Sequence, residues 1–228
     1  MSGSQPLTRI RAALDEHGIL VRGVANFNCG EGPLLSDGAS ACCVVLLGNI
    51  GGSMWPAFSR WRRDHVVSNP LDTWSKSLIQ PLATALNATA YFPSDPPYQP
   101  FQQWAMQAER LTRSPLGILF HPQFGLWHGY RGALGLATGI NDFPRSGDEA
   151  CDVDNEPEWH CDACPVGAVS RSRFDVRTCH DYLSSRKGQE TCMVNGCAVR
   201  NACEPGAGHR YPPSQLRFHM EALVRAGS

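Results

Sequence analysis

The 228-residue sequence predicts an α+β protein: a body over residues 1–147 built on a mixed sheet, then a small cysteine-rich domain over residues 148–228. Three observations lead there. Helix-period and strand-period segments succeed one another through the body, with too few β-α-β alternations to demand a wholly parallel sheet. The cysteines are crowded: residues 1–147 hold three (Cys29, Cys42, Cys43) and residues 148–228 hold seven (Cys151, Cys161, Cys164, Cys179, Cys192, Cys197, Cys203). Charge shifts at the same place, from 11 Lys+Arg against 9 Asp+Glu before residue 148 to 9 against 12 after it.

Composition limits the function classes. A hydrophobic share of 42% supplies a sizeable core and argues against disorder. A formal net charge of -1 argues against a basic nucleic-acid surface, so no nucleic-acid partner is expected. No run of 18 apolar residues occurs, which excludes a helical membrane span. Met1–Arg11 lacks the apolar core of a secretion signal, so a reducing cytoplasm is the expected compartment. There, clustered thiols point to metal ligation rather than to disulfides.

The body reads as follows. Leu7, Ile10 and Leu14 recur at helical spacing and Gly18 stops that helix. Ile19–Phe27 reads as a strand, and the apolar run Ala41–Leu47 as a strand buried on both faces. Gly48–Gly52 is a tight strand-to-helix connection, too far from any phosphate-loop pattern to claim a nucleotide. Met54–Asp64 is helical. A further helix opens at Pro70, with Leu71, Trp74, Leu78, Leu82 and Leu86 on its apolar face and Pro81 as a kink. Tyr91-Phe92 ends a short strand, Phe101–Leu111 is helical, and Leu116–Ile140 holds two or three strands joined by tight turns.

In the second domain Cys161-Asp-Ala-Cys164-Pro165-Val-Gly-Ala168 is the most specific string of the chain. Ferredoxins bind iron–sulfur clusters through C-x2-C runs ending in Cys-Pro, because thiolates are soft anionic donors and a cubane needs four of them. The spacing predicts one [4Fe–4S] cluster on Cys164, Cys179, Cys192 and Cys197. A set of Cys161, Cys164, Cys197 and Cys203 remains the alternative. Cys151, Cys161 and Cys203, with His160, resemble an incomplete second site, so two clusters stay open. Arg200 stands where a C-x2-C hook after Cys197 would place a thiol. Zinc competes as the metal, since Cys161/Cys164 and Cys192/Cys197 resemble paired hooks. Seven acidic residues between Asp148 and Asp162, unaccompanied by Lys or Arg, read as a solvated loop.

The segment Leu116-Gly-Ile-Leu-Phe-His121-Pro122-Gln-Phe-Gly125-Leu-Trp127-His-Gly-Tyr-Arg131-Gly132 resembles the cobalamin-processing CblC-type proteins. Together with the cysteine domain behind it, the order is also similar to epoxyqueuosine reductases and their reductive dehalogenase relatives. The resemblance implies a nitroreductase-like body that binds cobalamin and a ferredoxin-like tail that brings electrons. It places Gly125 and Trp127 against the corrin and turns Arg131 toward an anionic cosubstrate or a corrin side chain. Phe101–Leu111 lacks the histidine that CblC-type proteins carry there, and His121 reads as structural.

The resulting expectation is a cytoplasmic oxidoreductase of the cobalamin reductase or decyanase kind, served by a soluble electron donor. Two alternatives accompany it: a ferredoxin-like electron carrier without corrinoid chemistry, and a zinc-stabilised binding module.

Overall fold

The computed structural model describes residues 4–141, 143 and 157–226. Cys151 and most of the acidic stretch after Asp148 lie outside the described residues. The chain divides into two compact units. One comprises Met1–Arg110 and His128–Cys151, and the other Leu111–Trp127 and Asp152–Ser228.

The first unit is arranged around β2 (Cys43–Ile50), buried along all but its last residue. The unbroken apolar run that predicts a two-faced buried strand reflects this position. β1 (Leu20–Asn26), β2, β6 (His128–Leu136) and β3 (Thr89–Tyr91) form a sheet in the order β1-β2-β6-β3. Every ladder described in it is antiparallel, so the expected mixed sheet is corrected. The cause is visible in the register. The chain leaves β2 at Ile50 and enters β6 at His128, and these two residues face each other, so β6 must run back along β2.

Helices frame the sheet. α1 (Ser4–Leu14) buries Leu7, Ile10 and Leu14, as their spacing requires. After a 3-10 turn the chain passes Gly18 at φ 68°, where a Cβ would meet the Ser53 carbonyl oxygen at 2.0 Å. α2 is Trp55–Asp64, and α3 (Pro70–Ala85) starts on its proline and continues through Pro81. α4 (Phe101–Ala108) packs on β1. Of the three early cysteines, Cys43 is buried and Cys42 half-buried, but Cys29 is exposed.

Two bulges interrupt the ladders at one level of β2. Between the pairs Val21↔Leu47 and Gly23↔Leu46, Arg22 is the extra residue of β1. Between Leu47↔Gly132 and Gly48↔Tyr130, Arg131 is the extra residue of β6. A bulge breaks the strict in–out alternation of a strand and re-aims the side chain it carries.

The second unit joins two stretches distant in sequence, which a single cut between residues 147 and 148 does not provide for. Its first stretch holds β4 (Thr112–Arg113), β5 (Leu119–Phe120) and the turn His121–Trp127. Its second stretch is largely helical: α5 (Val176–Ser184), α6 (Arg186–Glu190), α7 (Cys192–Asn195), α8 (Ala198–Ala202) and α9 (Pro213–Ala226). Two small apolar clusters hold it. Phe120, Leu126, Trp159 and Cys203 make one; Leu183, Met193 and Met220 make the other. Among the described residues no helix is long and apolar enough to cross a membrane.

Candidate functional site

The nine described cysteines are free thiols. In the second unit the fold sorts six of them into two groups. Cys164 ends a 3-10 turn over Cys161–Ala163, and its carbonyl accepts from Gly167 N–H at 3.2 Å, closing a turn over the Cys-Pro-x-Gly string. Cys179 sits on α5, a helix capped by the Asp175 carboxylate on Thr178 N–H at 3.1 Å. Cys192 opens α7 and Cys197 immediately precedes α8.

These four thiols are neighbours. Burial, and then the like charge of Cys197, Cys164 and Cys192, pushes Cys179 up to about 11. Burial also raises Cys192, with the Ala198 backbone and Thr191 pulling it back and Cys164 adding to the rise. Cys197 is raised by burial against the backbone N–H groups of Arg200 and Val199, with Cys192 and Cys164 adding to it. Every pair among the four therefore lies within electrostatic reach. Even so, no described group of three His, Cys, Asp or Glu side chains stands ready to hold a metal ion.

Cys161 and Cys203 lie elsewhere in the unit. Cys203 is buried with Phe120, Leu126 and Trp159, and Cys161 packs against that cluster. Burial alone raises the Cys203 thiol; no neighbouring thiol contributes to the shift.

Polar atoms without partners occur in the same unit. Gln215, fully buried on the first turn of α9, has neither amide atom hydrogen-bonded, and His180 Nε2, beside Cys179 in sequence, is likewise buried and unbonded. α9 packs on α5 and α7, the helices of Cys179 and Cys192. Met220 of α9 belongs to the apolar cluster against which those two cysteines pack.

The turn after β5 explains two further predicted residues. His121 and Gly125 exchange backbone hydrogen bonds at 2.9 and 2.7 Å, and His121 Nδ1 accepts from Gln123 and Phe124 N–H, so His121 is structural. Gly125 has φ 56°, and a Cβ there would stand 1.9 Å from the Pro205 carbonyl oxygen. Its close approach is to protein backbone. Trp127 is fully buried, with the Arg200 guanidinium 4.4 Å from its ring centre and the Tyr211 ring edge-on at 5.5 Å. Gly125 and Trp127, which the resemblance sets against a corrin, both pack within the protein in this fold. Arg131 is half-buried at its bulge on β6.

The fold resembles CblC. The chain matches the crystal structure of a C. elegans B12-trafficking protein CblC, described as a human MMACHC homologue, with a TM-score of 0.54 over 97% of this chain and 95% of that one. Identity across the match is 14%, so the likeness is one of fold. No known family profile matches the chain, and no curated protein matches it in sequence.

Within this CblC-like fold, sequence reasoning missed a buried polar network in the first unit. Arg22, re-aimed by its bulge, donates to Glu109 Oε2 at 2.8 Å and to the Asn49 carbonyl at 3.0 Å, while the Tyr130 hydroxyl donates to Glu109 Oε1 at 2.5 Å. Burial lifts Glu109 above its ordinary value despite the Arg22 charge and the bonds from Tyr130 and Arg22. The available signal was Arg22, a lone charge inside an apolar segment; Glu109, beside Arg110, carries no such mark.

Proposed function

We propose that the chain is an iron–sulfur protein that binds cobalamin and reduces it or removes its upper axial ligand, using a [4Fe–4S] cluster held by Cys164, Cys179, Cys192 and Cys197. The observation that carries this reading is the mutual proximity of those four thiols, with Cys161 and Cys203 set apart. Four soft, anionic donors suit iron. A zinc ion would draw its sulfurs to about 2.3 Å from a single point.

When bound, such a cluster supplies single electrons at low potential to a corrinoid cobalt, whose upper axial bond weakens on reduction. The chain's own contribution is position and environment. Leu183, Met193 and Met220 pack against Cys179 and Cys192 and keep water from that side of the thiols. The unbonded amide of Gln215 and Nε2 of His180 fit a polar guest held in this unit better than an empty interior. Corrinoid binding is supported by the fold likeness to the B12-trafficking protein CblC. Arg131 is the candidate for corrin side-chain amides, because its bulge turns a forked donor out of the ladder. Gly125 and Trp127 serve by fixing the turn that carries them. A soluble cytoplasmic carrier is the proposed electron donor, and the cysteine unit is its ferredoxin-like acceptor.

Anaerobic purification with iron and sulfide analysis tests this. About four of each per chain are expected, lost in Cys179→Ser and kept in Cys203→Ser, since a cubane has four thiolate corners. Added hydroxocobalamin should shift its absorbance on mixing. A colourless chain with stoichiometric zinc would establish a zinc-stabilised module instead. A loaded cluster with no corrinoid shift at tens of micromolar would leave an electron carrier alone.

A further inference from the structure

Between Cys164 and Cys179 the second unit presents a short basic hairpin that runs into α5. A bridge pairs Val169 with Phe174, and Asp175 N–H donates to the Ala168 carbonyl at 2.7 Å. The tip is pinned twice: Ser170 N–H donates to the Arg173 carbonyl at 2.8 Å, and Arg173 N–H donates to Ser170 Oγ at 3.1 Å. Arg171 and Arg173 on the tip and Arg177 on the first turn of α5 are all exposed. Arg173 lies 3.2 Å from Asp175, the one carboxylate of the stretch, which already caps α5. Among the described residues Arg171 and Arg177 form no ion pair, not even Arg177 with Asp181 one turn on. Val166 and Val176, 38% and 45% exposed, flank the hairpin in sequence, and open space surrounds Gly167.

We propose that this hairpin and the first turn of α5 are the docking surface for an acidic-faced protein, the soluble electron carrier proposed for this chain. Only the partner's redox role rests on that reading; the surface itself stands on exposure and charge. Cations without carboxylate partners set up a local positive potential that steers a negative protein face toward them. The exposed valines beside them add apolar contact once the faces meet. Three cations on one small hairpin suit a weak redox encounter, which buries less than about 1,200 Å², rather than a permanent complex. A single-stranded nucleic acid would call for exposed aromatic platforms, and Phe174, the one ring between Cys164 and Cys179, is half-buried.

The test uses the full chain and an oxidised flavodoxin of strongly negative net charge, with binding measured by calorimetry at about 20 mM and about 200 mM salt. Affinity should fall at least about tenfold across that range, because the Debye length shrinks from about 20 Å to about 7 Å. Arg171→Glu with Arg177→Glu should weaken binding at low salt at least about tenfold. Val166→Ser should weaken it about threefold, through lost apolar contact. The same change of charge in Arg60→Glu with Arg63→Glu, exposed on α2, should leave affinity within about twofold. Should the hairpin reversal disturb folding by far-UV circular dichroism, Arg171→Gln with Arg177→Gln carries the same direction. Undetectable binding at low salt, or equal losses in the hairpin and α2 variants, overturns the proposal. Tighter binding to a single-stranded RNA than to flavodoxin, lost in the same hairpin variants, overturns the protein partner. Iron and sulfide analysis reports separately on the cluster: flavodoxin bound at the hairpin by a chain without iron supports the docking surface and removes its redox role.

Discussion

Arg22 and Glu109 form an ion pair, 2.8 Å between Nη2 and Oε2, with side chains only 2% and 0% exposed. Such a pair is costly to bury and costlier to break, because removing one partner strands the other without water. Arg22→Met should therefore destabilise the first unit by about 3–5 kcal/mol, read from urea unfolding followed by far-UV circular dichroism. Glu109→Gln should cost less, since its amide oxygen still accepts from Arg22 or Tyr130. Equal stability of wild type and Arg22→Met would show that the pair contributes nothing.

The same carboxyl gives a pH signature. Burial raises Glu109 in the folded chain, outweighing Arg22 and the Tyr130 bond. Between its ordinary value and its folded value, the folded chain keeps a proton that the unfolded chain has released. Stability therefore falls as pH rises through that window, beginning at about pH 4. Glu109→Gln should flatten this slope. Unfolding midpoints compared at several pH values for wild type and variant decide it, and parallel curves would remove Glu109 as the source.

Several elements were legible because they are local. The continuous run Ala41–Leu47 announces β2, and Leu7, Ile10 and Leu14 announce α1, since burial imposes those patterns directly. What escaped depends on encounters between distant segments. Nothing near Gly125 in sequence reveals that Pro205 will press against it. The pairing of Ile50 with His128 fixes an antiparallel ladder, and the assignment of residues 111–127 to the second unit accompanies it; both are invisible locally. Arg22 and Arg131 gain their roles from bulges, which alternation patterns do not encode.

Gly125 supplies a direct test of its packing role. A Cβ there would overlap the Pro205 carbonyl and strain a left-handed backbone, so Gly125→Ala should cost more than about 3 kcal/mol. Gly117 also has a positive φ, 74°, but open space surrounds it. Gly117→Ala should cost about 1–2 kcal/mol, the backbone penalty alone. Thermal unfolding of the two variants without any ligand separates these effects. Similar losses in both would remove the Pro205 contact as the reason for glycine at 125.

Asp175 links acid stability to the helix that carries Cys179. Its carboxylate accepts from Thr178 N–H at the start of α5 and lies 3.2 Å from Arg173 Nη2. That backbone bond, with Arg173 adding to it, holds its pKa below the ordinary Asp value. A depressed folded value means the stabilisation is complete above the ordinary Asp range and is lost as pH falls through the folded value. Asp175→Asn keeps an oxygen for the cap but does not titrate, so it should unfold near wild-type Tm at neutral pH with a flatter acid limb. Asp175→Ala should lower Tm at neutral pH as well, because the first turn of α5 loses its acceptor. A melting series from neutral to acid pH distinguishes the three chains. Identical acid limbs in wild type and Asp175→Asn would assign the acid sensitivity to other carboxylates.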